Sequence, residues 1–501
     1  MGQSSFFKFG LLLILFITAI CYAQDLKEFE KKVTEFNLSN GLHFIVVERH
    51  EAPVVSFHTY ADVGSVDEVK GITGMAHMFE HMAFKGSETV GTKDFNKEQA
   101  ALAKIEDIYM ELKAEKQKGE KADPQKVEEL QKQFEDAVAQ AEEYMELEEF
   151  EEALIRAGSS GLNASTSWDA TRYILSLPSN KVELWMSLES ERFLRPVLRE
   201  FYKERDVVME ERRMRTESNP IGRLVEEFIA VAYKAHPYGE PPIGHMSDLQ
   251  TLTRTEAESF FKQYYTPSNL TIAIVGDVNP KEVQKLSETY FGRIPGGTKP
   301  AKVETVEPTQ LGERRVIVED PSQPFVLIGY HKPGINHPDN AVFDAITDIM
   351  GIGRTSRLYK SLVKEKKIAV AASGFQGLPG QKYPGLFLFY SVPAKGHSND
   401  ENENAINEEI EKLKTEPVTA DELRKAKTRA RAGLIRQLDS NSGLAAQLTA
   451  YQVLTGDWRN LFKELDKIDN VSAEDIQRVA EEYFKSSNRT VGVIKTTEAK
   501  S

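Results

Sequence analysis

His77 and His81 stand four residues apart, with Glu80 directly before the second histidine. On a helix that separation puts two side chains on one face, one turn apart, and Glu80 projects from the same side. Two imidazoles so placed can hold a divalent ion such as zinc while the carboxylate sits beside the metal's open position. The chemistry this serves is hydrolysis, in which the metal acidifies water and the carboxylate accepts the proton as water attacks a carbonyl. In a chain with 10 histidines, His-x-x-Glu-His arises by chance on the order of 0.01–0.02 times. The surroundings suit a helix: Met75, Ala76, Met78, Phe79, Met82 and Phe84 supply apolar faces, and Gly86 offers a stop.

A catalytic zinc needs a third protein ligand. Candidates concentrate in Glu204-Arg-Asp-Val-Val-Met-Glu-Glu-Arg-Arg213. Helical geometry puts Glu204, Val207, Val208 and Glu211 on one face and turns Glu210 about 100° away from Glu211. A carboxylate beside apolar neighbours on an inward face suits a ligand better, which favours Glu211. Glu204, a double turn earlier, could orient the site from behind. Taken alone, each of these glutamates also reads as a solvated helix carboxylate.

These residues need a scaffold. Alternating or continuous apolar runs predict strands at 42–48 and 54–63, and again at 315–319 and 324–330, each pair followed by helices. The segments 255–271 and 474–490 are related by a constant offset of 219, which superimposes Tyr264 on Tyr483, Ser268 on Ser487, Asn269 on Asn488 and Thr271 on Thr490. Each is an amphipathic helix, a polar turn and an apolar strand, which points to duplication. A Pro-, Gly- and Lys-rich linker at 295–312 separates an N-terminal domain, 24–294, from a C-terminal one, 313–501. The expected class is α+β, with two homologous domains, each a mostly antiparallel sheet with helices on one face. Between about 97 and 150, Glu, Lys, Gln and Ala dominate. Apolar residues at 101, 105, 108 and 112, then at 127, 130, 134, 137, 141 and 144, form the seam of a coiled-coil hairpin reversing near Gly119 and Pro124.

A chain of 501 residues exceeds one hydrophobic core. With 40% hydrophobic and 28% charged residues it is neither disordered nor fibrous in composition, and a net charge of −14 speaks against nucleic acid as a partner. Lys8, an apolar run from 9 to 20 and Cys21-Tyr22-Ala23 have the layout of a secretory signal peptide, 1–23, which implies an exported protein, periplasmic or secreted. The run is short for a membrane span, a retained anchor being the alternative, and no integral span is expected after cleavage. Cleavage would also remove Cys21, the single cysteine, leaving no disulfide.

His77-Met-Phe-Glu-His-Met-Ala-Phe-Lys-Gly86, preceded by Gly64-Ser65 and Gly74, resembles the inverted zinc motif of the pitrilysin/insulinase (M16) metallopeptidase family. The likeness extends through Gly161-Leu-Asn-Ala-Ser-Thr-Ser167, the helix with Glu211, and Gly353-Arg-Thr-Ser-Arg-Leu-Tyr359, nearly the whole mature chain. It is closest in size to half-length subunits such as the beta-type chains of mitochondrial processing peptidase. The resemblance implies a zinc endopeptidase acting on peptides or unfolded segments. It makes His77, His81 and Glu211 ligands of one Zn2+ per chain, Glu80 the general base and Glu204 a supporting carboxylate. Asn163 and Ala164 would lie on an edge strand that takes substrate backbone by strand addition.

Two departures matter. His81 and Glu211 are 130 residues apart, longer than the family's interval by roughly the hairpin, which therefore reads as an insertion that spares the site if the arm projects outward. Complete family enzymes also carry an Arg and a Tyr seven residues apart that bind the substrate carbonyl. Here those positions are Val363 and Val370, which donate no side-chain hydrogen bond. Losing oxyanion donors costs about 10²–10³ in rate. The resemblance thus implies a heterodimer whose second family subunit lacks the histidine motif but carries the Arg/Tyr pair. Two other readings stay open: a non-catalytic scaffold subunit of a larger complex, and a homodimer using Arg354 or Arg357 as the donor.

Overall fold

The computed structural model describes residues 28–498. The expected signal peptide and Cys21 lie outside the described residues. Strands β1 (Val33–Asn37), β2 (His43–Glu48), β3 (Val54–Ala61), β4 (Ser160–Thr166), β5 (Thr171–Pro178) and β6 (Leu270–Gly276) form one sheet, in the order β1-β2-β6-β3-β5-β4. Strands β7 (Arg314–Asp320), β8 (Phe325–Lys332), β9 (Ala369–Leu378), β10 (Gly385–Pro393) and β11 (Arg489–Thr496) form a second, in the order β7-β11-β8-β10-β9. In both, the last strand enters the middle: β6 runs parallel to β2 and antiparallel to β3, and β11 does the same with β7 and β8. All other pairings are antiparallel.

The duplication seen in the sequence is thus a duplication of topology. The offset of 219 carries helix Arg254–Tyr264 onto Ala473–Tyr483 and the start of β6 onto the start of β11. It also carries Asn269 onto Asn488, and the two do the same work. Asn269 Nδ2 donates to the carbonyls of Tyr264 (2.9 Å) and Asp62 (3.1 Å); Asn488 Nδ2 donates to those of Tyr483 (2.8 Å) and His331 (2.9 Å).

Each sheet carries helices of its own half on one face, as the sequence predicts, and the resulting cores are separate. The opposite faces are closed by exchange. Leu224 and Phe228 of helix Pro220–Ala232 pack on Leu327, Leu388 and Ile494 of the second sheet. Leu444, Ala445 and Leu448 of helix Asn441–Thr455 pack on Ile45, Val47, Ala273 and Val275 of the first. Adding 219 to the first helix gives 439–451, which overlaps the second, so the exchanged helices are themselves a repeated pair. Between them, residues 294–313 form no helix or strand, but Glu307 accepts from the backbone N–H of Lys234, Ala235 and His236, which ties this stretch down.

A helical hairpin is present, with two corrections. Its helices are Phe95–Lys116 and Pro124–Glu142, reversing through Gly119–Lys121, and Asp123 caps the second by accepting from Gln125 N and Lys126 N. The second helix stops at Glu142, and Glu149–Arg156 is a separate helix, so the hairpin ends short of 150. The arm also does not project free of the body. Besides the expected seam, Leu102 and Tyr109 give the first helix a second apolar stripe, which enters the N-terminal core. Tyr109 lies 4.1 Å ring to ring from Tyr202, and its hydroxyl donates to the Gln250 carbonyl. Among the described residues no helix is long and apolar enough to cross a membrane.

Candidate metal centre

Helix Met75–Met82 carries the His77-Glu80-His81 trio. It begins abruptly because Gly74 takes a left-handed conformation (φ 88°), and a β-carbon there would come within 2.8 Å of the Ile243 carbonyl. The carboxylate of buried Glu68 then accepts from Gly74 N (2.8 Å) and Ala76 N (2.7 Å), satisfying two of the helix's free donors. Burial pushes the Glu68 carboxyl well above its usual range despite these bonds. Met75, Ala76, Met78 and Phe79 are buried, and Phe79 packs on Phe260 and Phe261 of helix Arg254–Tyr264. With that side fixed, the histidines face helix Phe201–Arg212.

That second helix is anchored just beyond Glu211. Arg212 forms a bidentate pair with Glu226 and donates to the Gly244 carbonyl (2.6 Å), and Gly244 in turn abuts Thr73 and Gly74. The ends of the two site helices are thereby joined. Glu211 Oε2 lies 3.4 Å from His81 Nε2 and 3.7 Å from His77 Nε2, and one donor atom from each of the three lies within 4.8 Å of the others. Zinc bonds of about 2.0–2.1 Å in tetrahedral arrangement put donors roughly 3.3 Å apart, so two imidazoles and a carboxylate at these spacings fit zinc with little movement. Glu80 Oε2 is 3.9 Å from His77 Nε2, beside the cluster. Glu204 Oε2 lies 3.2 Å from His81 Nδ1, the ring's far nitrogen, and Lys85 Nζ is 2.7 Å from Glu204 Oε1. Glu210 points away, its side chain 72% exposed against Arg213. Only part of the expected apolar face turns inward: Val208 is fully buried but Val207 is 46% exposed, because the face rolls past the core edge.

The electrostatics are uneven. Burial disfavours the His81 cation, but hydrogen bonds to Glu204 and Glu211 outweigh it and raise His81 to about 9. His77 is lowered to about 4 by burial and by its neighbour's charge. Burial acts against ionised Glu204, yet His81 and Lys85 hold it at about 2. Glu211 is kept below the usual range chiefly by its hydrogen bond with His81.

A cavity of about 350 Å³ opens from the trio, with Glu80, His81 and Phe84 on one side and Leu162, Asn163 and Ala164 on the other. Those last three belong to β4, which pairs only with β5 and has no partner on its outer edge among the described residues. Asn163 and Ala164 are therefore brought beside Glu80. Val363 is half-buried against the C-terminal core, and Val370 is 62% exposed on the edge strand β9. Arg357 does not serve as a free donor, because it binds both oxygens of Glu422 (2.8 and 3.1 Å), and neither it nor Arg354 lines the cavity. Sequence reasoning missed three residues at the centre: Glu68, Lys85 and Arg215, whose Nη1 is 2.9 Å from Glu211 Oε1. Lys85 and Arg215 each stand four residues after a candidate ligand, a helix-pair spacing that could have flagged them. Glu68 lies in a loop and gave no such signal.

Residues 44–116 match the family model described as insulinase (peptidase family M16), and 251–430 match that described as the peptidase M16 inactive domain. The zinc protease PqqE of Helicobacter pylori is 31% identical over 499 residues, covering 97% of this chain and 98% of that protein. Mitochondrial-processing peptidase subunit beta of Lentinula edodes is 23% identical over 465 residues, covering 89% and 86%. Among solved structures, a protease from Helicobacter pylori superimposes with a TM-score of 0.78 at 29% identity, over 93% of this chain and 99% of that one. With its two sheets, exchanged helices and histidine pair, the chain belongs to the M16 (insulinase) family of peptidases.

Proposed function

We propose that this chain is the zinc-dependent catalytic subunit of an exported endopeptidase acting on peptides or unfolded polypeptide segments. His77, His81 and Glu211 hold one Zn2+, Glu80 is the general base, and the peptide lies along β4 at Asn163 and Ala164. The reading is carried by the convergence of three donor atoms within 4.8 Å of one another, with the Glu80 carboxylate beside them. Zinc, when bound, supplies Lewis-acid polarisation of the substrate carbonyl and a water of lowered pKa. Glu80 accepts the proton of the attacking water and returns it to the leaving amine. Glu204 receives the N–H of His81 Nδ1, which keeps Nε2 turned toward the ligand cluster. β4 aligns substrate through main-chain hydrogen bonds, which demands an extended chain and so favours unfolded segments.

Val363 and Val370 offer the substrate carbonyl no donor. We therefore assign the missing Arg/Tyr pair to a second family subunit that lacks the histidine motif. A scaffold role has one observation in its favour, the match of 251–430 to a domain described as inactive. That match lies outside the trio, which falls within 44–116. The test combines metal analysis with peptide hydrolysis by the chain alone and with such a partner. Expected are one zinc per chain, activity that rises about 10²–10³-fold with the partner, and a Glu80→Gln variant that keeps zinc but loses about 10²–10⁴ in rate. Full activity of the lone chain would refute the partner, and protein with no affinity for zinc would refute the hydrolase.

A further inference from the structure

We infer that Arg215 is a positioning residue for the metal centre: its guanidinium holds the outer oxygen of Glu211, so that the carboxylate meets the metal through the other oxygen alone. This rests on the zinc reading above and adds a residue to it. The two oxygens of Glu211 divide their work. Oε2 is the one 3.4 and 3.7 Å from the imidazole Nε2 atoms, whereas Oε1 lies 2.9 Å from Arg215 Nη1.

The surrounding backbone is built to put Arg215 there. Helix Phe201–Arg212 widens after Glu211 into a π turn, Arg213–Glu217, in which Ser218 N donates to the Arg213 carbonyl (2.7 Å). Such turns are rare and concentrate at functional sites. Asn219 then caps the next helix by accepting from Ile221 N (3.0 Å) and Gly222 N (3.2 Å), which swings Gly222 onto the Arg215 carbonyl. A β-carbon at 222 would overlap that carbonyl, so the glycine permits the contact that fixes the arginine's main chain.

Fold stability does not account for the pair. The Arg215 side chain is 68% exposed against 13% for Glu211, so the arginine reaches in from solvent, and an ion pair with one partner so solvated adds little to stability. Arg213, two residues earlier, makes an ordinary surface pair with exposed Glu210 and serves as the comparison. A carboxylate can bind a metal through one oxygen or two. A guanidinium on the outer oxygen disfavours the second mode and leaves a coordination position free for water and substrate.

Zinc affinity of the full chain, measured by competition with a chromogenic chelator, tests this, together with the visible spectrum of the cobalt-substituted protein. Arg215→Gln should weaken zinc binding about 10–100-fold and lower the intensity of the cobalt bands as coordination moves above four. Arg215→Lys should recover much of the affinity, Gly222→Ala should weaken binding without touching any ligand, and Arg213→Gln should change nothing. Arg215→Gln with wild-type affinity and an unchanged cobalt spectrum overturns the inference. If the wild-type chain itself binds no zinc, the underlying site reading falls first.

Discussion

Glu204 never faces the point where His77, His81 and Glu211 converge, yet it is tied to that point through a single imidazole. It sits on His81 Nδ1 at 3.2 Å and is braced from behind by Lys85 at 2.7 Å, so one tautomer and one ring orientation of His81 are selected. Glu204→Ala should therefore weaken zinc binding about 10–100-fold while leaving all three proposed ligands in place. Chelator competition reads this directly, and an unaltered affinity would reduce Glu204 to an ion-pair partner of Lys85 with no part in metal binding. How much of this centre the sequence disclosed follows from how local each part is. His77, Glu80 and His81 share one turn of helix and could be read from spacing. Glu211 is 130 residues from His81; helical geometry favours it over Glu210, but only the family resemblance outweighs its reading as a solvated carboxylate, because nothing local shows that its face meets the histidines. Lys85 and Arg215 follow His81 and Glu211 by four residues, a spacing the sequence does carry, whereas Glu68 depends on where a loop meets the start of the histidine helix, which no periodicity records.

Helix-turn-strand units at the end of each half depend on one asparagine apiece. Asn269 and Asn488 each bridge the carbonyl ending their helix to a carbonyl at the end of a neighbouring strand, closing the same corner in both sheets. Replacing either with Ala strands two carbonyls, and about 1–3 kcal/mol should be lost for the buried one. Asn269 is buried, whereas Asn488 is only half-buried. The urea midpoint of Asn269→Ala should accordingly fall further than that of Asn488→Ala, and equal falls would contradict the role of burial. These units were legible in the sequence because they are local and occur twice. The pairs β2/β3 and β7/β8 were legible too, as apolar runs bounded by polar turns. Docking of the hairpin was not: Leu102 and Tyr109 sit one residue off the seam, and only the position of helix Phe201–Arg212 shows that this second stripe is covered.

Exchange of helices between the halves makes the molecule one unit rather than two beads, and the pattern of residues could not show it. An apolar helix face names no partner, and each exchanged helix serves a sheet more than 80 residues away in the chain. One buried histidine lies in this junction. His58, on β3, is covered by helix Asn441–Thr455, and its Nδ1 lies 2.8 Å from Thr449 Oγ1. Burial, aided by the nearby Arg172 guanidinium, lowers its pKa from 6.5 to about 3. The unfolded chain thus takes up a proton near pH 6.5 that the folded chain refuses until about pH 3. Stability from the neutral imidazole is complete above pH 6.5 and is lost progressively as pH falls toward 3. Since each pKa unit of difference corresponds to about 1.4 kcal/mol, lowering the pH by two units below that threshold should cost about 3 kcal/mol through this residue. Urea unfolding at pH 7 and 4.5 would show it as a larger acid loss in the wild-type chain than in His58→Gln, whose amide cannot titrate. Because the helix over His58 belongs to the other half, the acid loss should appear in both halves together. If the two proteins lost the same stability over that range, the junction would owe nothing to a neutral His58.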